Sequence, residues 1–112
     1  QQEVSVLSRN LKLLAKDLDV PVIAVAQLNR GPEARTDKKP MMSDLRESGS
    51  LEQDADIIIL LHRPEYYNPE DRPGEADIIL AKHRNGETGT IRVLFQGHMA
   101  RFANFTSREE PA

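Results

Sequence analysis

Two unbroken apolar runs, VIAVA at 22–26 and IIILL at 57–61, constrain this chain more than any other feature of it. A strand buried on one face alternates apolar and polar side chains, whereas a strand covered on both faces reads as continuous and β-branched. VIAVAQL and IIILL are both of the second kind, so each predicts a buried strand of a parallel sheet with helices on either side. A helix suited to cover one face precedes them. VSVLSRNLKLLAKDLD places Val4, Leu7, Leu11, Leu14 and Leu18 at three-and-four spacing, which predicts an amphipathic helix over 3–18. Asp19 breaks that period, and Pro21 confines the chain entering the first run.

Between the two runs the character changes. NRGPEARTDKKPMMS (29–43) has glycine, two prolines and mixed charges without apolar period, and predicts a mobile loop. A short helix is expected over 50–54, with Ser48 or Ser50 as its cap and Glu52 or Gln53 available to its first-turn amides. HRPEYYNPEDRPGE is a second polar loop and EADIILAKH a third strand. GETG turns that strand back, TIRVLFQ runs antiparallel to it, and GHMARFANF supplies a last short strand or edge. This order predicts an α/β fold of three layers, parallel strands with an antiparallel hairpin edge. The pattern reads as the second half of such a domain, with no GxxxxGK[ST] and no GxGxxG in these residues. SREEPA, and with it residues 106–112, is expected to be a flexible tail.

Composition narrows the chemistry. With 38% hydrophobic residues and no tryptophan, 112 residues can bury one modest core, which is thin for an autonomous enzyme. Fifteen basic against 18 acidic residues give a net charge of −3, so bulk positive potential does not hold this chain on nucleic acid, though a few placed arginines can. Absence of cysteine removes disulfides, thiol catalysis and thiolate metal sites. No apolar run approaches the roughly 20 residues that span a bilayer, so a soluble, cytoplasmic protein is expected, without membrane contact. His62, His83 and His98 have no metal-ligand spacing, and no metal site is expected.

Three polar clusters remain. Gln27 closes the first apolar run, at the carboxyl end of a predicted strand where open α/β sheets bind ligands; it can equally be the first residue of a loop. In SDLRESG, Arg46 offers a planar fork suited to phosphate, Glu47 a strut to orient it, and Gly49 a close approach; the alternative is a solvated loop leading into a helix. In AKHRNG, Lys82 and Arg84 are two apart and share a face if the strand persists through Arg84, beside a tight Asn85-Gly86 turn. Such a pair suits an anion on another molecule, or is ordinary solvated charge. Asp54 and Asp56 are expected to end the short helix or to contact Arg63. Tyr66 and Tyr67 are expected to anchor their loop, with base stacking as the other use of an aromatic pair.

VPVIAVAQLNR (20–30), SDLRESGSLEQDADIIILLHR (43–63), IILAKHRNGETGTIRVLF (78–95) and ARFANF (100–105) resemble, in that order, the second half of the RecA-like ATPase domain of the hexameric replicative DNA helicases, the DnaB family. DLRESGSLEQDAD is the most specific of these strings. The resemblance implies a partial motor domain over 1–105 that lacks its phosphate-binding loop. It implies ATP and Mg2+ as the nucleotide and metal of the intact parent, with the magnesium ligands outside these residues. Gln27 corresponds to the family's γ-phosphate sensor. Arg46, Glu47 and Gly49 correspond to the loop contacting single-stranded DNA, and Lys82 and Arg84 to cations entering the neighbouring subunit's ATP site, Arg84 as arginine finger. Single-stranded DNA, the other subunits of a homohexameric ring, primase and a helicase loader are the implied partners. The isolated chain is expected to be inactive. A RecA-like domain that only binds DNA or another protein is the alternative such a sheet permits.

Overall fold

The structure, a computed structural model, describes residues 2–105, and of residues 2–5 and 46–49 the backbone alone. Residues 106–112, expected as a tail, lie outside the described residues. The chain divides into two compact units, one running to Ile58 and the other from Ile59.

Helix α1 spans Gln2–Leu18, as the three-and-four spacing predicts. It ends where Asp19 turns left-handed (φ 53), with Val20 N–H donating to Ala15 O at 3.0 Å and Asp19 N–H to Lys16 O at 3.3 Å. Those two bonds satisfy carbonyls that the last turn leaves open. The apolar stripe is not the buried face. Leu7, Leu14 and Leu18 are exposed, whereas Ser8 is buried and Leu11 and Ala15 are partly covered. The reason is α3 (Gly49–Asp54), which engages α1 through polar groups. Ser8 Oγ donates to Asp54 Oδ2 at 2.7 Å, and Lys12 Nζ donates to Asp54 O at 2.7 Å and to Asp56 Oδ1 at 3.2 Å. Lys12 thus sits at the carboxyl end of α3, where the open carbonyls favour a cation.

The predicted strand VIAVAQL is corrected by the structure. Residues 21–28 lie without regular structure, no strand pairs with them among the described residues, and Ile23 and Val25 are 89% and 97% exposed. Strand propensity is present, but a strand is a property of a pair, and nothing described lies alongside to complete it. After it come α2 (Gly31–Ala34) and a 3-10 stretch, Met42–Ser48, kinked at Leu45.

Four strands form one sheet in the order β1 (Ile57–His62), β2 (Glu75–His83), β3 (Gly89–Gln96), β4 (Arg101–Ala103). β2 pairs with β3 antiparallel, Glu75 opposite Leu94 and Leu80 opposite Gly89, and β3 pairs with β4 antiparallel, Phe95 opposite Phe102. The hairpin and last short strand are therefore as predicted; the parallel three-layer core is not among the described pairings. IIILL is a strand, but covered on one face only: Ile58, Leu60 and His62 are buried, while Ile57, Ile59 and Leu61 are exposed. β1 is the terminal strand of the sheet, so one of its hydrogen-bonding edges has no strand beside it among the described residues.

In the second unit, Leu60, Ala76 and Val93 are buried, and Phe95 packs on Phe102 with ring centroids 5.3 Å apart. The Arg63 guanidinium lies over the Phe95 ring at 4.0 Å. The second polar loop contains a helical turn, α4 (Pro64–Tyr67), with proline at its first position, where the missing N–H costs nothing.

Candidate functional site

The loop expected to be mobile is instead held by a buried carboxylate. Asp44, 3% exposed, receives the Arg35 guanidinium in a fork, Nη1 to Oδ1 at 3.2 Å and Nη2 to Oδ2, and also accepts Met41 N–H at 2.7 Å. Arg35 Nε donates to Lys39 O at 3.0 Å. The Asp44 carbonyl accepts Asn29 N–H at 2.9 Å, and Asn29 Oδ1 accepts Gly31 N–H at 2.7 Å. A Cβ at Gly31 would overlap the Asp44 carboxylate, so glycine is required there by close approach. One charged pair, with the Met41 amide adding a further bond to the carboxylate and the Asn29 amide bonding the Asp44 carbonyl, thereby closes residues 29–44 into a defined loop.

This network orders the neighbourhood of two predicted clusters. Gln27 is exposed in the unpaired segment, two residues before Asn29. Arg46 and Glu47 lie on the 3-10 stretch just after Asp44, and Gly49 opens α3; their side chains are outside the described residues. The Asn29–Asp44 hydrogen bond joins the segment ending in Gln27 to the stretch carrying Arg46. Ser50, expected as a possible cap, lies inside α3 with its hydroxyl buried and unbonded. Asp54 ends α3, as one of the two expectations had it; its carboxylate accepts Ser8 and that of Asp56 accepts Lys12, while Arg63 pairs with Glu65.

The third cluster belongs to the second unit. β2 stops at His83, so Arg84 is not on the strand with Lys82 but in the turn that follows. Gly86 N–H donates to His83 O at 3.2 Å, which centres the tight turn on Arg84 and Asn85, not on Asn85 and Gly86. The His83 ring lies across Gly86, where a Cβ would collide with it, and His83 Nδ1 is 3.4 Å from Glu87 O. Lys82 is half-buried and Arg84 exposed, and each has an interaction partner. A cation at a turn tip fixed in this way can be offered to an anion beyond the hairpin's edge.

A second polar scaffold supports the loop entering β2. Arg72, at φ 47, donates Nη1 to Asp77 Oδ2 at 3.0 Å, Nη2 to Asp77 Oδ1 at 2.7 Å and Nε to Glu75 Oε1 at 3.0 Å. The Asp77 hydrogen bonds raise the Arg72 pKa above its already high value. Glu65 Oε2 accepts Gly74 N–H at 2.7 Å and Oε1 accepts Arg63 Nη2 at 3.2 Å; these hold its carboxyl below the usual range, the Gly74 amide contributing most. Tyr66 and Tyr67 pack edge to face and Tyr67 stacks on His62 at 6.4 Å, while both tyrosines are exposed, Tyr66 the more so. Among the described residues, no group of three or more His, Asp or Glu side chains is placed to hold a metal ion. Nor is any helix among them long and apolar enough to cross a membrane.

The description DnaB-like helicase C terminal domain fits residues 1–104 as a family model. The chain belongs to the DnaB-like helicase C-terminal domain family. It is 70% identical over 105 residues to the replicative DNA helicase DnaB of Mycobacterium intracellulare, covering 93% of this chain and 18% of that protein. The replicative DNA helicase DnaB of Geobacillus stearothermophilus is 52% identical over 113 residues, 100% of this chain and 25% of that protein. This DnaB-like chain therefore spans a quarter or less of the length of these relatives. Among solved structures, the ATPase domain of G40P superposes with a TM-score of 0.89 at 49% identity, over 94% of this chain and 37% of that one. A DnaB-like replicative helicase, described with its interactions with primase, gives 0.86 at 50% identity, over 91% of this chain and 25% of that one.

Sequence reasoning missed Arg35, Asp44 and Gly31. The one local signal was Asn29-x-Gly31, the pattern of an Asx turn.

Proposed function

We propose that this chain is the downstream part of the ATPase motor of a hexameric replicative DNA helicase, the second half of a RecA-like three-layer core, in a parent that translocates on single-stranded DNA and unwinds duplex. Membership of the DnaB-like family over residues 1–104 supports the reading. The observation that carries it is the β2–β3 turn, where His83 and Gly86 fix a loop that presents Arg84 just beyond Lys82.

In this reading each residue has a separate task. ATP is the substrate, and Arg84 with Lys82 meets the γ-phosphate bound by the adjoining subunit, offsetting charge that builds on its oxygens as the bond to the leaving group lengthens. Gln27 hydrogen-bonds the γ-phosphate of its own subunit's nucleotide and reports its presence. Arg46, steadied by Glu47, and the backbone at Gly49 contact successive DNA phosphates. Magnesium would neutralise the polyphosphate; the described residues do not fit it, and its ligands are assigned to the remainder of the parent. The isolated chain is accordingly inactive, and the parent works in the cytoplasm with primase and a loader as partners.

The test uses complete rings. Arg84→Ala should leave ATP affinity little changed and lower turnover by about 10³-fold or more, the scale of an arginine finger. Mixing these subunits with subunits lacking their own phosphate-binding lysine should recover part of the turnover, since some interfaces then join an intact cradle to an intact finger. Common rings with no recovery would remove Arg84 from the neighbour's site.

A further inference from the structure

Asp44 bonds in two directions at once. Its carboxylate holds Arg35 and Met41, and its carbonyl holds Asn29, two residues after Gln27. Arg46 follows it by two residues on the same 3-10 stretch. The Gln27 segment has no strand partner among the described residues, so the Asn29–Asp44 bond and the Asx turn at Gly31 are what register its end against the stretch carrying Arg46. A forked ion pair on the buried carboxylate of the same residue, with Arg35 partly exposed, resists sliding. The fork fixes both oxygens, a third donor on Arg35 grips Lys39 O, and the carboxylate occupies the space that a Cβ at position 31 would fill.

We propose that the Arg35–Asp44 clamp is the positioning element that couples the nucleotide-sensing segment to the DNA-contact loop, so that displacement of Gln27 is passed to Arg46 instead of being absorbed between them. The inference rests on the roles given above to Gln27 and Arg46. Arg35 and Asp44 touch neither DNA nor nucleotide in it; they set the distance between groups that do. Such coupling appears as a ratio, the affinity for single-stranded DNA with a non-hydrolysable ATP analogue bound over that with ADP bound, and typical couplings lie at roughly 5–150-fold.

The decisive measurement is that ratio in the complete helicase, for the parent and for Arg35→Lys, Gly31→Ala and Arg46→Ala. Lysine keeps the charge but cannot span both Asp44 oxygens and Lys39 O. Alanine at 31 displaces the carboxylate without altering any charge. Both variants should assemble normal rings and bring the ratio to within about twofold of one, against the parent's roughly 5-fold or more. A clamp that merely stabilised the fold would lower both affinities together and leave their ratio alone. The proposal is overturned if the parent ratio is already one, or if either variant forms rings and keeps the parent ratio. Arg46→Ala separates the two readings: weakened DNA binding there with an unchanged ratio in Arg35→Lys sinks the clamp alone. Unweakened binding in Arg46→Ala removes the Arg46 contact and overturns the coupling at its DNA end, whatever the ratio in Arg35→Lys.

Discussion

Glu65 does its work through one backbone amide. Gly74, at φ 74, is in a conformation that favours glycine, and its N–H points at the Glu65 carboxylate 2.7 Å away. Because that bond and Arg63 favour the ionised form, the folded pKa lies below the ordinary value of 4.5. A depressed carboxyl pKa contributes stability that is fully present above pH 4.5 and is lost as pH falls through the folded value. The Gly74 amide proton, followed by NMR, should therefore titrate with a midpoint below 4.5, and Glu65→Gln should abolish that titration. A midpoint at or above 4.5 would mean that the hydrogen bond does not persist in solution. At this scale the sequence was least legible. Glu65 and Gly74 are nine residues apart, as are Arg35 and Asp44, and no helical or strand period connects residues at that distance. Such partners are chosen by loop closure, which a linear pattern does not encode. Turn chemistry was easier to see, and the Asn85-Gly86 dipeptide located the hairpin to within one residue.

Elements whose partners lie close in sequence were legible in advance. The hairpin of β2 and β3, the short strand β4, the helix at 49–54 and the limits of α1 follow from period and turn signals. What failed were statements about burial, because burial depends on neighbours. The leucine stripe of α1 is open while Ser8, a residue the apolar pattern passes over, is buried against Asp54. For the loop between β1 and β2, the deciding interaction is Arg72 with Asp77, whose carboxylate is nearly enclosed. Arg72→Gln removes the fork and leaves that carboxylate under-bonded, a cost of about 2 kcal/mol for hydrogen bonds to a charged group. Local opening of the 63–74 loop should then be about 30-fold more populated, and chymotryptic cleavage after Tyr66 and Tyr67 should accelerate in proportion. Equal cleavage rates in variant and parent would show that α4 and Gly74, not Arg72, hold the loop.

Over the whole chain, the candidate residues that could be named from the sequence were those in short polar strings next to apolar runs: Gln27, the Arg46 loop, Lys82 and Arg84. The Arg35–Asp44 pair that lies in sequence between the first two could not be, since Arg35 sits in a stretch with no period at all. The segment 21–28 carries a consequence of another kind. Among the described residues its amides meet no neighbouring strand, whereas those of β2 and β3 are locked in an antiparallel ladder. In heavy water the 112-residue chain should take up deuterium across 21–28 about as fast as a free peptide, while the 75–83 ladder exchanges only on opening. Mass spectrometry of the corresponding peptides in a complete helicase should find 21–28 slowed, because there a strand can lie beside it. Isotope uptake at the seven amides that follow Pro21 thus becomes an internal clock for assembly, running fast until a neighbouring strand arrives and stopping when it does.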